Sequence, residues 1–372
     1  MRNILLHGAL SFPPTGVGVA NEIIIEELEK RNVNVIKIRR GSGNSKFLTW
    51  DGKVSINRVA QTFNEIFKIA WTLWKVDIDC MYMSAGQSTV GIIADMIKIS
   101  FCVLNKVPIV IHVHGGRLAE SINNLPKYLK NRYISLLNKS RCVIALTDDQ
   151  RRSITNVGLT NVITIYNAVK ENEVCNIEMV EGKLKRSSKK LNVVYLSNLI
   201  EEKGYKDLVN SALELNKSYG EHFVFRFAGQ WGSVHDKVWF SEKTKDLRNC
   251  TYEGVVRGEN KKDLLEWADV WVLPTYFVEE GLPISLLEAM WSGCAVITTN
   301  YRGIPEVVTD QGAIFVSANC PSEVTAALLK LLTDKATMKN MIRVNTTKAR
   351  ESFKESFFSN RVIETFNLGD GK

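Results

Sequence analysis

The segment Glu279-Glu280-Gly281-Leu282-Pro283-Ile284-Ser285-Leu286-Leu287-Glu288 sets two carboxylates, Glu280 and Glu288, on either side of seven residues that include a glycine and a proline. It follows the apolar run Val270-Trp271-Val272-Leu273-Pro274 and leads into a stretch of helical period. A strand, a loop and then a helix leave backbone N–H groups free at the helix start, where the positive end of the helix dipole reinforces them. Such an end binds anions. Glu280 precedes the helix and Glu288 lies about two turns further on, so the two carboxylates need not share one task. Glu280 could touch a neutral hydroxylated group beside the anion, and Glu288 could accept hydrogen bonds from a vicinal diol such as ribose. Taken locally, the same residues also read as an acidic cap and a solvated helix face, and both readings stand.

Three other segments hold residues with chemical potential. In His112-Val113-His114-Gly115-Gly116 strand alternation puts both imidazoles on one side. Their spacing could serve a metal only with further ligands, none of which is found nearby, and no metal site is assigned. Asp77-Ile78-Asp79 has the form of a divalent-metal holder, but it precedes an apolar run instead of ending one and reads as a solvated turn. Phe12-Pro13-Pro14-Thr15-Gly16-Val17-Gly18-Val19-Ala20-Asn21 opens a helix after the first strand, and its glycines let backbone N–H groups approach a phosphate. It is not a dinucleotide fingerprint, because Asn21 follows where that motif needs a small residue.

The elements that must position these residues alternate between short apolar runs and longer segments of helical period, the pattern of parallel doubly wound α/β sheets. Strands are predicted over 3–7, 33–38, 80–84, 109–114, 142–146 and 162–166, then over 192–197, 224–228, 251–254, 270–274, 295–299 and 313–316. A helix is predicted over 19–30 and another over 353–366. The charged stretch 171–190, with Lys185-Arg186-Ser187-Ser188-Lys189-Lys190 at its end, has no strong period and is expected as a linker. This gives two Rossmann-like domains, 1–170 and 191–352, with 353–372 as a C-terminal helix. Ligands of such sheets sit at the carboxyl ends of strands, so the site is expected between the domains.

A chain of 372 residues is long enough for two cores. No stretch reaches the roughly 18 uncharged apolar residues of a membrane span, and the N-terminal apolar run is too short for a signal peptide. The seven cysteines are odd in number and dispersed, which suits neither a disulfide framework nor a zinc site and fits a reducing cytoplasm. Residues 1–170 hold 22 Lys and Arg against 12 Asp and Glu, a net of +10, whereas 171–372 hold 26 against 28, a net of −2. A basic half attracts nucleic acid, anionic lipid and diphosphate-linked substrates alike. No nucleic-acid-binding motif is found, and the acidic second half fits that partner poorly. Phe63, Phe67, Trp71 and Trp74, with Lys68 and Lys75, recur at helical spacing. They read either as core or as a surface meeting an anionic membrane.

The spacing of Glu280 and Glu288, with Gly281 and Pro283 between them, resembles the signature of retaining family 4 glycosyltransferases, which have the two-domain GT-B fold. The similarity runs over nearly the whole chain. Leu196-Ser197-Asn198-Leu199-Ile200-Glu201-Glu202-Lys203-Gly204 is similar to the loop in which that family grips a donor diphosphate with an arginine and a lysine. Lys203 matches the lysine, but Asn198 stands where the arginine is usual. Asparagine brings no charge, so Lys203 and the helix N-terminus would carry more of the neutralisation.

The resemblance implies that Gly18 lies near the donor phosphates and that His114 meets the transferred sugar near its reacting carbon. Glu280 would hold the sugar hydroxyls, Glu288 the ribose, and the N–H groups about Gly281, Leu282 and Pro283 the diphosphate. Asn167 in Tyr166-Asn167-Ala168-Val169 resembles the family's entry to the hinge. Implied overall is a retaining transfer without metal or cofactor from a nucleotide-sugar, a UDP-sugar foremost, to a glycan or lipid-diphosphate-linked acceptor in surface polysaccharide synthesis. The enzyme is expected in the cytoplasm or at the inner face of the cell membrane.

Overall fold

The computed structural model describes residues 2–10, 16–41, 56–186 and 189–367. Among these residues, twelve strands form two parallel sheets of six. The first sheet contains β1 (Asn3–Gly8), β2 (Asn34–Arg39), β3 (Cys80–Ser84), β4 (Ile109–Val113), β5 (Cys142–Ala145) and β6 (Val162–Thr164). The second contains β7 (Leu191–Leu196), β8 (Phe223–Ala228), β9 (Cys250–Gly254), β10 (Val270–Leu273), β11 (Ala295–Thr298) and β12 (Ala313–Phe315). Every predicted strand is present, with ends shifted by at most two residues. Most strand residues are buried, as runs covered by helices on both faces should be.

The helices of the first half are α1 (Gly16–Lys30), α2 (Ile56–Lys75), α3 (Thr89–Leu104), α4 (Leu118–Asn123), α5 (Lys127–Leu137) and α6 (Asp148–Asn156). Those that follow are α7 (Ile177–Lys185), α8 (Tyr205–Asn216), α9 (Val234–Thr244), α10 (Gly258–Trp267), α11 (Ile284–Trp291), α12 (Ile304–Val307), α13 (Pro321–Thr333), α14 (Lys335–Ser352) and α15 (Glu355–Phe366). One face of the first sheet packs on α2, α3 and α5 through Ile69, Ile99 and Leu136. The other packs on α1 and α15 through Ile24, Val362 and Phe366. The last helix of the chain therefore completes the core of the first half.

The sheet orders explain where a ligand could sit. The first runs β2-β1-β3-β4-β5-β6 and the second β12-β11-β10-β7-β8-β9. Chain direction across each sheet reverses at one place, between β1 and β3 in the first and between β7 and β10 in the second. Loops leaving a reversal point part to opposite faces and open a crevice. Residues 9–10 and 85–88 flank the first crevice, and residues 197–204 and 274–283 the second.

The segment 171–190, expected as a linker with no strong period, holds a short 3-10 turn, Glu171–Glu173, and helix α7. Asn176 caps α7 by accepting the N–H of Met179. Val180 and the Lys183 stem are buried against the second half, where the Lys183 ammonium donates to the carbonyls of Leu265 and Ser292. The charge pattern does not show this packing, because the lysine head is satisfied by carbonyls inside the fold instead of by water. Ser187 and Ser188, from the same stretch, lie outside the described residues.

Candidate active site

The two crevices face each other and form one cleft of about 480 Å³. His114, Asn198, Lys203, Glu280, Gly281, Leu282, Pro283 and Glu288 all line it. The wall from the second half begins at β7. Its loop passes Asn198, makes a 3-10 turn at Glu201–Lys203 and reverses at Gly204, whose φ of +78° favours glycine. A Cβ at Gly204 would lie 2.4 Å from the Pro274 carbonyl oxygen, so the residue also lets the loops after β7 and β10 close together. That contact carries Lys203 to Glu280, with Nζ 3.1 Å from the carboxylate. Thr275 is a second, weaker partner of Glu280 at 3.4 Å.

Pro283 caps α11 and makes no side-chain bond to the helix start. The first N–H groups of α11 thus face the cleft without an intrahelical partner. The start of α1 lies opposite, since a Cβ on Gly16 would be 3.5 Å from the Ile284 side chain. Two positive helix ends converge on the same space. Glu288, one turn into α11, is buried and ion-paired to Lys261 of α10 at 2.6 Å. Lys261 also bonds Glu173, from the crossing segment, at 2.5 Å. Burial acts to lower the Lys261 pKa, but Glu288 and Glu173 more than reverse it, and the ammonium is held above its usual range.

The first-half wall is neutral at its centre. His114 follows the last residue of β4, stacks on His112 with ring centroids 4.0 Å apart, and is lowered by burial, then by Arg40, to a pKa of about 3. It is a neutral imidazole at physiological pH. Its Nε2 is buried without a hydrogen-bond partner, although the residue borders the cleft. His112 packs deeper and is hydrogen-bonded through Nδ1 to the Tyr82 hydroxyl at 2.6 Å. Arg40, just past β2, lines the cleft and donates to the Ser84 carbonyl at 2.5 Å.

The halves meet at backbone distance. A Cβ on Gly281 would stand 2.3 Å from the His114 carbonyl oxygen, and one on Gly116 would stand 2.3 Å from that of Glu280. Asn167 donates to the Leu282 carbonyl at 3.1 Å, and Arg302 pairs with Glu120 at 2.8 Å. Glu306 of α12 accepts the N–H groups of Asp148 and Asp149 at the start of α6, at 2.8 and 2.5 Å. Glutamate is well suited there, because the helix end is electropositive.

Gly18 is the exception among the expected residues. It is buried within α1, and Gly16, two residues earlier, borders the cleft instead. The helix begins at Gly16, so Gly18 is already inside its first turn and packs inward. Residues Phe12 to Thr15 of the same loop lie outside the described residues. Asp77 and Asp79 sit at the opposite end of β3 from the cleft, where Asp79 accepts the Asn3 N–H at 2.7 Å. Among the described residues, no three His, Cys, Asp or Glu side chains gather as a metal set. Lys261 and Arg40 were missed. Lys261 sits in no recognisable motif, but Arg40 follows a strand and the carboxyl-end rule could have marked it.

Residues 176–348 match the family described as glycosyl transferases group 1. The chain is 24% identical over 328 residues to an uncharacterized glycosyltransferase of Methanocaldococcus jannaschii, covering 83% of this chain and 79% of that protein. It is also 24% identical over 180 residues to the amylovoran biosynthesis glycosyltransferase AmsK of Erwinia amylovora, covering 47% and 44% of the two chains. Among solved structures, HepE of Anabaena in complex with UDP superposes with a TM-score of 0.71 at 14% identity, over 99% of this chain and all of that one. The two-sheet architecture is that of GT-B glycosyltransferases.

Proposed function

From the premise that this chain is a glycosyltransferase with a group 1 domain at residues 176–348, we propose that it moves a sugar from a UDP-sugar to a hydroxyl of a glycan or lipid-diphosphate-linked oligosaccharide. The anomeric configuration is retained, no metal takes part, and the setting is surface-polysaccharide synthesis at the inner face of the cell membrane. The observation that carries this reading is the pair of lysine-held carboxylates, Lys203–Glu280 and Lys261–Glu288, set about the open N-terminus of α11 in one cleft. The AmsK likeness supports the polysaccharide setting, and the fold shared with UDP-bound HepE supports the nucleotide.

In this reading Glu288 accepts the ribose diol, Glu280 holds sugar hydroxyls, and Lys203 with the N–H groups about Gly281 and Leu282 receives the diphosphate. Lys203 and Lys261 face Glu280, Glu288 and Glu173, so this wall is net negative before a donor arrives. The diphosphate therefore relies on the helix ends, and Asn198 contributes a hydrogen bond without charge. The reaction breaks the bond from the anomeric carbon to the phosphate oxygen and forms one to the acceptor oxygen. The acceptor's proton passes to the departing phosphate on the same face. His114, neutral and with Nε2 unpartnered, hydrogen-bonds the sugar near that carbon.

Calorimetric titration with UDP, GDP, ADP and TDP, each with and without EDTA, tests the reading. Micromolar binding of UDP that EDTA does not change is expected. Binding of none of the four would overturn the donor assignment, and binding without turnover on any UDP-sugar would make the protein an inactive scaffold.

A further inference from the structure

Helix α3 carries two charges, and both point inward. Asp95 and Lys98 are buried and paired at 3.3 Å, and Asp95 also accepts the Gly86 N–H at 2.5 Å. The solvent-facing positions are apolar: Val90, Ile93, Ile97 and Leu104, the last 77% exposed. A helix bordering water ordinarily shows the reverse arrangement. Helix α2, packed beside it, repeats the inversion. Phe63, Phe67, Trp71 and Trp74 form an outward stripe between 51% and 70% exposed. The acidic residue of α2, Glu65, is buried against His7. Among the described side chains of α2, the exposed charges are Lys68 and Lys75, and the Lys75 ammonium lies 4.3 Å above the Trp74 ring.

We propose that this joint face of α2 and α3 docks the protein on an anionic lipid bilayer. The aromatic and aliphatic side chains enter the boundary between headgroups and acyl chains, and Lys68 and Lys75 meet lipid phosphates. The sign of the charge selects this occupant. A second copy docked about a two-fold axis would bring the lysines against a surface bearing the same charge. Anionic headgroups satisfy both the apolar stripe and its cations. Between α3 and α5 an apolar groove of about 320 Å³, lined by Ile97, Phe101, Leu104 and Leu136, includes Arg132 and extends the same chemistry. Gln87, which borders the cleft, lies two residues before α3, so the docking face starts at the cleft rim. A membrane-anchored acceptor could then reach His114 without leaving the bilayer, a step that rests on the transferase reading, whereas the docking itself does not.

Co-sedimentation of the full chain with vesicles of phosphatidylcholine alone, and of phosphatidylcholine mixed with phosphatidylglycerol, tests the proposal. Binding to the mixed vesicles is expected to exceed that to neutral ones about tenfold and to weaken with added salt. The double variants Trp71→Ser with Trp74→Ser, and Lys68→Glu with Lys75→Glu, should each lose about tenfold in vesicle binding. Both should keep wild-type UDP affinity, which shows them folded and reads the donor site separately. The proposal is overturned if the wild type ignores anionic vesicles, or if both variants bind them as well as the wild type. It is equally overturned if the wild type is a dimer that the tryptophan variant dissociates, since the face then belongs to a second copy.

Discussion

On the second-half wall of the cleft, Lys203 and Lys261 each hold a glutamate within 3.1 Å, and the charges are in place before any ligand arrives. The first-half wall meets the same space with a neutral His114 whose Nε2 has no partner. Both walls stand on parallel sheets and both sit where chain direction reverses, so architecture does not separate them. Their polarity does. A wall of ion-paired side chains with an open helix end suits a charged donor that must be bound and held. A neutral imidazole with an unsatisfied nitrogen at the centre of this wall suits a reacting centre whose hydrogen bond strengthens as charge develops. In the proposed reading, one fold thus divides binding from transfer by where it buries charge.

The largest test of that contrast is acid. His7 and His112 are buried in the first half and His114 is half-buried with its Nε2 enclosed, whereas His222 and His235 of the second are exposed. Burial lowers the His7 pKa from 6.5 to about 4, although Glu65 opposes it. The unfolded chain then binds more protons between those two values, so stability is complete above pH 6.5 and is lost as pH falls towards 4. His7 alone accounts for a loss on the order of 3 kcal/mol over that window, and His112 and His114 add to it. Urea unfolding followed by hydrogen exchange at pH 7, 5.5 and 4.5 should show the first half opening before the second. Simultaneous loss of both halves, or unchanged midpoints, would remove this difference between them.

Next in size, His114→Ala should lower kcat on the order of 10²-fold while UDP affinity stays within about twofold. A matching drop in UDP affinity would put His114 on the binding side and erase the division of labour. Lys203→Ala and Glu288→Ala should each weaken UDP binding about tenfold or more, some 1.4 kcal/mol, by calorimetry. Wild-type affinity in both would discredit the donor wall. The smallest effect is expected of Asn198→Arg, which supplies the cation that the donor wall lacks. It should tighten UDP binding about threefold, with a steeper dependence on salt. Weaker binding would mean that the Asn198 side chain, whose carbonyl accepts the Gln230 N–H at 3.4 Å, matters more as a loop anchor than as a phosphate neighbour.

The second-half wall was the more legible of the two because its residues fall within short segments. Glu280, Gly281, Pro283 and Glu288 share one strand-loop-helix unit, and Asn198 and Lys203 share another, so their spacing carries their geometry. Lys261 escaped because its role depends on α10 packing beside α11, and a lysine followed by Lys262 looks like solvated surface. Gly18 was named instead of Gly16 because sequence shows that a helix begins nearby but not at which residue, and two residues decide whether a glycine borders the cleft or packs inward. The stripe of α2 aromatics was read as either core or surface. Periodicity marks a face and does not say what covers it.

All twelve strands, the parallel doubly wound plan and the two glutamates at a helix start were determined by the sequence alone. Local sterics and the period of apolar residues act within a few residues of the chain, and these features depend on little else. The strand orders, the meeting of Gly281 with the His114 carbonyl, the ion pairs of Lys203 and Lys261, and the burial that keeps three histidines neutral were decided only by the tertiary structure. Each depends on groups far apart in the chain reaching hydrogen-bond or van der Waals distance. Desolvation and ion pairing are set by those distances and by the surroundings that exclude water, which spacing along the chain does not encode.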